Sequence, residues 1–226
     1  MKTHLTTVLA GGLLCAPFAN AADASAAVTA ERVSVFKAPL VCPAAPQIGC
    51  GSASKPILLD LEKQAGVLEA WLNRAGTIIA VVWKPDANAG TRSNVAADLK
   101  EDHAIEMDGK SRDDAVKDFL SGKGWYHGAD VDRLSEEEAG IIAARWVQRV
   151  KARITLPKEK AETLRRVLAD AIARRTTDDK FTPDKNTVLK LEGELPQVAV
   201  QYIDKGQIPI FKEAIAAGWA PLPNEN

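Results

Sequence analysis

The sequence predicts an α/β fold with a βαβ unit near its start, a ββα unit near its end and helices inserted between them. Three observations carry this. Residues 32–36, Arg-Val-Ser-Val-Phe, alternate and are β-branched, the pattern of a half-buried strand. Residues 77–83, Thr-Ile-Ile-Ala-Val-Val-Trp, form a continuous apolar run, as in a strand covered on both faces. From Ser135 to Ile172 the apolar residues instead recur at helical spacing.

Composition bounds the function. The chain has 226 residues, of which 46% are hydrophobic and 26% charged, with a formal net charge of −1. That is a globular composition, not a disordered one. Near-neutral charge argues against nucleic acid as the partner. No apolar run inside the chain reaches the length of a membrane span. Three cysteines and three histidines are too few for a metal cluster, so no metal-ligand set and no cofactor is assigned.

The start reads as a secretory signal. Lys2 and His4 precede an apolar stretch, and Ala19-Asn20-Ala21 has the small-x-small form of a cleavage site. Residues 1–21 are therefore expected to be removed and the protein to be periplasmic. Cys15 and His4 leave with the signal. Cys42, Cys50, His103 and His127 remain. In an oxidising compartment a lone cysteine pair is expected to be a disulfide bond or a redox-active center.

Residues 22–30 read as a flexible lead-in and 32–36 as the first strand. A Pro- and Gly-rich loop, 37–54, carries both cysteines. Ile57, Leu61, Ala65, Leu68 and Leu72 then share one face of a helix capped by Ser52 or Ser54 and ended by Gly76. Residues 77–83 complete the βαβ unit. Beyond it, 104–107 reads as a short strand, 111–120 as a helix and 122–128 as a loop. Ser135 and Glu138 form a capping box, with Ala139, Ile142, Trp146 and Val150 behind it. Thr155 and Pro157 open a second helix with Ala161, Leu164, Leu168 and Ile172 on one face. The closing unit is a short strand at 188–192, a strand at 197–203, a turn at Asp204-Lys205-Gly206, a strand at 207–210 and a helix at 211–218.

This order resembles the thioredoxin-like fold, as in periplasmic disulfide oxidoreductases. Val33-Ser34-Val35-Phe36-Lys37-Ala38-Pro39 is similar to a first strand leading into a cysteine loop. Cys50-Gly51-Ser52-Ala53 stands where such proteins begin their first helix. Glu194-Leu195-Pro196-Gln197-Val198 is similar to the segment bearing the family's cis-proline. The resemblance implies a core from 31–83 and 188–226, a mainly helical insertion at 84–187, and Pro196 packed beside the cysteines. The chain departs from the pattern at Ala53, where the second cysteine of Cys-x-x-Cys would stand.

Three functions follow as expectations. In the first, Cys50 at a helix N-terminus is a stabilised thiolate that attacks the disulfide of a protein partner; Cys42 resolves the mixed disulfide and Pro196 positions the substrate. In the second, Cys42–Cys50 is a structural disulfide in a non-catalytic binding module. There, Trp125-Tyr126-His127 or the Arg-rich helical hairpin contacts a partner. In the third, the two thiols hold a soft metal ion such as copper or mercury.

Overall fold

The computed structural model describes residues 28–181 and 184–223. The expected signal segment and most of the lead-in lie outside the described residues. No described helix is long and apolar enough to cross a membrane.

Five strands form one antiparallel sheet. They are β1 (Val33–Lys37), β2 (Val67–Asn73), β3 (Ile78–Trp83), β4 (Ile105–Glu106) and β5 (Trp125–His127), in the order β4-β1-β3-β2-β5. Helix α1 (Gly51–Lys63) joins β1 to β2, and α2 (Ala89–Glu101) joins β3 to β4. The first four strands thus have the β-α-β-β-α-β connectivity of a split βαβ unit, in which β3 lies between β1 and β2.

This corrects the expected βαβ reading of 31–83. β1 pairs with β3 antiparallel, Val33 opposite Val82 and Lys37 opposite Ile78. The expected long helix ends at Lys63. Gly66 turns the chain at φ 85°, and Leu68 and Leu72 belong to β2. The sequence concealed this because a bulge between Val67 and Glu69 breaks the alternation of β2. The alternating four- and three-residue spacing of Leu61, Ala65, Leu68 and Leu72 therefore imitated a continuing helix.

Both faces of the sheet are covered, which explains the unbroken apolar run of β3. Val33, Val35, Ala80 and Val82 pack against Ala115, Val116 and Phe119 of α3 (Gly109–Leu120). Ile79, Val81 and Trp83 face the other way, into the core shared with α1 and α2. Each buried valine, isoleucine or phenylalanine among them is worth about 1.5–3 kcal/mol relative to exposure.

Beyond α1 lies a layer of four helices: α4 (Asp132–Lys151), α5 (Lys158–Thr176), α6 (Lys185–Ala199) and α7 (Ile208–Ala216). The expected α4–α5 hairpin is present, with Leu164, Leu168 and Ile172 buried. The expected closing strands are not. Leu191, Leu195 and Ala199 are buried at helical spacing along α6, which packs on α5 and α7. Tertiary burial of that stripe overrides the β-branched composition of 197–203. Pro196 is buried inside α6, and every described peptide bond is trans. The sheet instead takes β4 and β5 from the stretch expected to be a helical insertion.

Candidate functional site

The loop between β1 and α1 is stitched to the turn between β2 and β3. Ala38 N–H donates to Thr77 at 2.9 Å, Leu40 N–H to Gly76 at 2.9 Å and Gly49 N–H to Arg74 at 2.7 Å. Gly76 has φ 70°, and a side chain there would strike the Leu40 carbonyl, so glycine is needed for both reasons.

Inside the loop, Val41 and Gly49 form an antiparallel bridge. Cys42 N–H donates to Ile48 at 2.9 Å and Cys50 N–H to Leu40 at 2.7 Å, one on each side of it. By strand alternation Leu40, Cys42, Ile48 and Cys50 share one face, and all four are buried while Val41 is exposed. Cys42 and Cys50 are therefore diagonal neighbours on the inner face. Such positions lie roughly 7–8 Å apart, at or beyond the Cα separation that a disulfide spans without backbone movement. Both are free thiols. Cys42 Sγ accepts from Ala45 N–H at 3.2 Å, and Cys50 Sγ lies 3.5 Å from Ser52 Oγ.

Helix α4 closes the pocket from the other side. Gly51 abuts the Val131 carbonyl and Ser135, with no room for a side chain. Ser135 and Glu138, expected to cap a helix, are instead interior residues of α4 turned toward the cysteine loop. Glu138 is only 5% exposed. Its carboxyl faces the Cys42 thiol and acts electrostatically on Cys50, yet its Oε2 has no hydrogen-bond partner, and neither has Ser135 Oγ. Two turns on, buried Arg145 donates to the Ala44 carbonyl and, at 2.8 Å, to that of Trp219. It ties the cysteine loop to α4 and to the segment after α7.

The electrostatics differ from those expected at a helix N-terminus. Cys50 is the N-cap of α1, and the Ser52 hydroxyl with the N–H groups of Ala53 and Ser52 favours its thiolate. Burial, reinforced by the charge of Glu138, outweighs them and pushes the Cys50 thiol up. Burial followed by Glu138 pushes Cys42 up strongly. Burial also raises Glu138, with the Cys42 contact acting in the opposite direction. At neutral pH both thiols keep their protons, and burial shifts the Glu138 carboxyl in the same direction, toward its protonated form.

The remaining sequence candidates lie elsewhere. Pro196 is a helix-interior residue of α6. Trp125 packs edge-on to Phe119 at 5.2 Å, covering the core, and its ring N–H donates to Asp118 at 3.0 Å. His127 Nε2 lies 2.8 Å from Glu62 Oε1, beside the Trp71 ring. His103 follows α2 with φ 61°. Among the described residues no three of His, Cys, Asp and Glu are grouped closely enough to hold a metal ion. The sequence reading did not single out Glu138 as part of this pocket. The available signal was a carboxylate on the apolar stripe Leu134–Glu138–Ile142 of a helix, where an unpaired charge is costly.

No protein-family model, no curated protein and no solved structure matches the chain.

Proposed function

We propose that this protein is an exported, non-enzymatic carrier that holds a soft, thiol-seeking metal ion between Cys42 and Cys50. The observation that supports this best is the pairing of two free, buried thiols on one face of a short ribbon, beside a buried carboxylate oxygen with no partner. A disulfide would need the sulfurs at about 2.05 Å. An ion bridging them needs them farther apart, since each metal–sulfur bond is itself about 2.3 Å, as for zinc thiolates. Diagonal neighbours suit the longer span. The absence of a third and fourth donor among the described residues disfavours a closed zinc site, which takes four ligands. It favours an ion content with two thiolates, such as copper(I) or mercury(II). Loading exchanges stored protons for a cation, which relieves a pocket that disfavours bare negative charge.

A thioredoxin-like thiol–disulfide exchange protein is the second reading. Its support is the position of Cys50 as N-cap of α1. The raised thiols weigh against it, because exchange proceeds through the thiolate.

One experiment separates the two. Reduced protein is exposed to copper(I) buffered by a chelator, then separated and weighed by native mass spectrometry. The carrier reading expects one ion per chain, and none on the Cys42→Ser/Cys50→Ser variant. No bound ion, together with rapid reduction of a disulfide substrate, would replace it with the exchange reading.

A further inference from the structure

The pocket leaves one large surface feature unused. A groove of about 590 Å³ runs between α1 and α2 and is closed at one end by the segment after α5. Its rim carries Asp60, Asp98, Glu101, Asp102 and Asp179, and no Lys or Arg lines it. Half-buried Ile57 and Phe181 supply an apolar floor, while Leu61 and Leu99, which also line it, are almost fully buried. Three of the carboxylates are engaged. Asp60 pairs with Lys63 at 2.7 Å, Asp98 accepts from Gln64 at 2.9 Å, and Asp179 pairs with Lys55 at 2.6 Å. Glu101 and Asp102 are exposed, and their side chains carry no ion pair or hydrogen bond among the described residues.

The chain as a whole is nearly neutral, at −1, so this concentration of one sign is local. Lys63 and Lys55 offset Asp60 and Asp179, which leaves Asp98, Glu101 and Asp102 as the carboxylates that a cationic surface would complement. The floor adds an apolar patch framed by polar residues, the form of a partner site. The α1 wall runs from Ala53 to Gln64, which is about 16 Å at 1.5 Å per residue, or three helical turns.

We infer that this groove docks a basic amphipathic helix of a partner protein, its apolar face on Ile57 and Phe181 and its lysines or arginines against Asp98, Glu101 and Asp102. This follows the helix-in-groove mode, in which anchors at i, i+3 or i+4, and i+7 fill the floor. Charge sets the on-rate and excludes acidic partners. The inference goes beyond the carrier reading and does not depend on it, although the groove begins one turn along α1 from Cys50.

The test uses the whole protein and a synthetic helical peptide of about three turns, with leucine on one face and lysine on the other. Binding is followed by fluorescence anisotropy and mapped by amide chemical shifts. The peptide is expected to bind, to shift amides of α1 and α2, and to weaken with added salt. An Asp98→Asn/Glu101→Gln/Asp102→Asn variant, all surface changes, is expected to weaken it roughly tenfold or more. A glutamate-for-lysine peptide is expected not to bind. Equal affinity for the triple variant, shifts confined to other elements, or failure of the lysine peptide to bind would overturn the inference. So would concentration-dependent dimerisation through α1 and α2, which assigns the groove to a second copy of the chain. Since the readout is peptide binding by protein that needs no metal, the inference can fail while the carrier reading stands, and the reverse.

Discussion

The carboxyl group of Glu138 lies against the thiol of Cys42 in a buried pocket between the cysteine loop and α4, with Oε2 unpartnered. An acid in this setting is stabilised in its protonated form, because burial penalises the carboxylate more than the thiol contact compensates it. The same burial acts on both thiols. Burial thus disfavours negative charge on all three groups of the pocket.

The first prediction concerns pH. The folded protein holds the Glu138 proton to higher pH than the unfolded chain, whose carboxyl titrates near 4.5. The stabilisation is complete below that value and is lost as pH rises through the raised folded value. Chemical denaturation of the wild type against Glu138→Gln should show the wild type losing stability relative to the variant as pH rises from about 4 toward neutrality. A constant difference between the two would contradict the assignment.

Thiol reactivity gives the second. Alkylation of reduced protein by iodoacetamide, followed by mass spectrometry, should be slow at neutral pH for both cysteines. Cys50, 9% exposed, should react before Cys42, which is fully buried. Rapid labelling of Cys50 at mildly acidic pH would show a thiolate that burial does not suppress.

Arg145 gives the third. Its guanidinium holds the Ala44 and Trp219 carbonyls. Arg145→Ala leaves buried acceptors unpaired and should cost about 1–3 kcal/mol per group in urea denaturation. Both bonds come from the single nitrogen Nη1, so Arg145→Lys should recover part of this through one ammonium, limited by the shorter reach of the lysine side chain.

The fourth separates α6 from the thiol pocket. Pro196 interrupts the hydrogen bonding of a helix interior, which costs about 3 kcal/mol relative to alanine in a simple helix. Pro196→Ala should be neutral or stabilising, since the restored N–H offsets lost packing, and should leave alkylation rates at Cys42 and Cys50 unchanged. Altered thiol reactivity in this variant would support the thioredoxin-like reading.

Which parts of this were legible in the sequence follows from where the patterns were undisturbed. β1 and β3 were plain as short β-branched apolar runs, and α5 because its buried residues recur at helical spacing from Ala161 to Ile172. β2 was hidden by its bulge, and its register with β3 made the sheet antiparallel. α2 was invisible because Ala89–Glu101 buries only Val95 and Leu99. In α6, Val and Ile suggested strands, yet the stripe Leu191, Leu195 and Ala199 buried against α5 makes a helix, whereas the closing helix expected at 211–218 is present as α7, which starts earlier and takes in most of the expected strand at 207–210. The placement of Cys50 at the start of α1 was legible, because a Pro- and Gly-rich loop gives way there to helical spacing. The pocket's third acid could not be read there, because Glu138 reaches it from a helix some ninety residues later, through tertiary packing alone.

X-ray absorption of the copper(I)-loaded protein tests the carrier most directly. Two sulfur neighbours near 2.3 Å are expected for the wild type, falling to one in Cys42→Ser or Cys50→Ser with weaker retention of the ion. A shell of nitrogen and oxygen alone, or one unaltered by either substitution, would contradict a site made by Cys42 and Cys50.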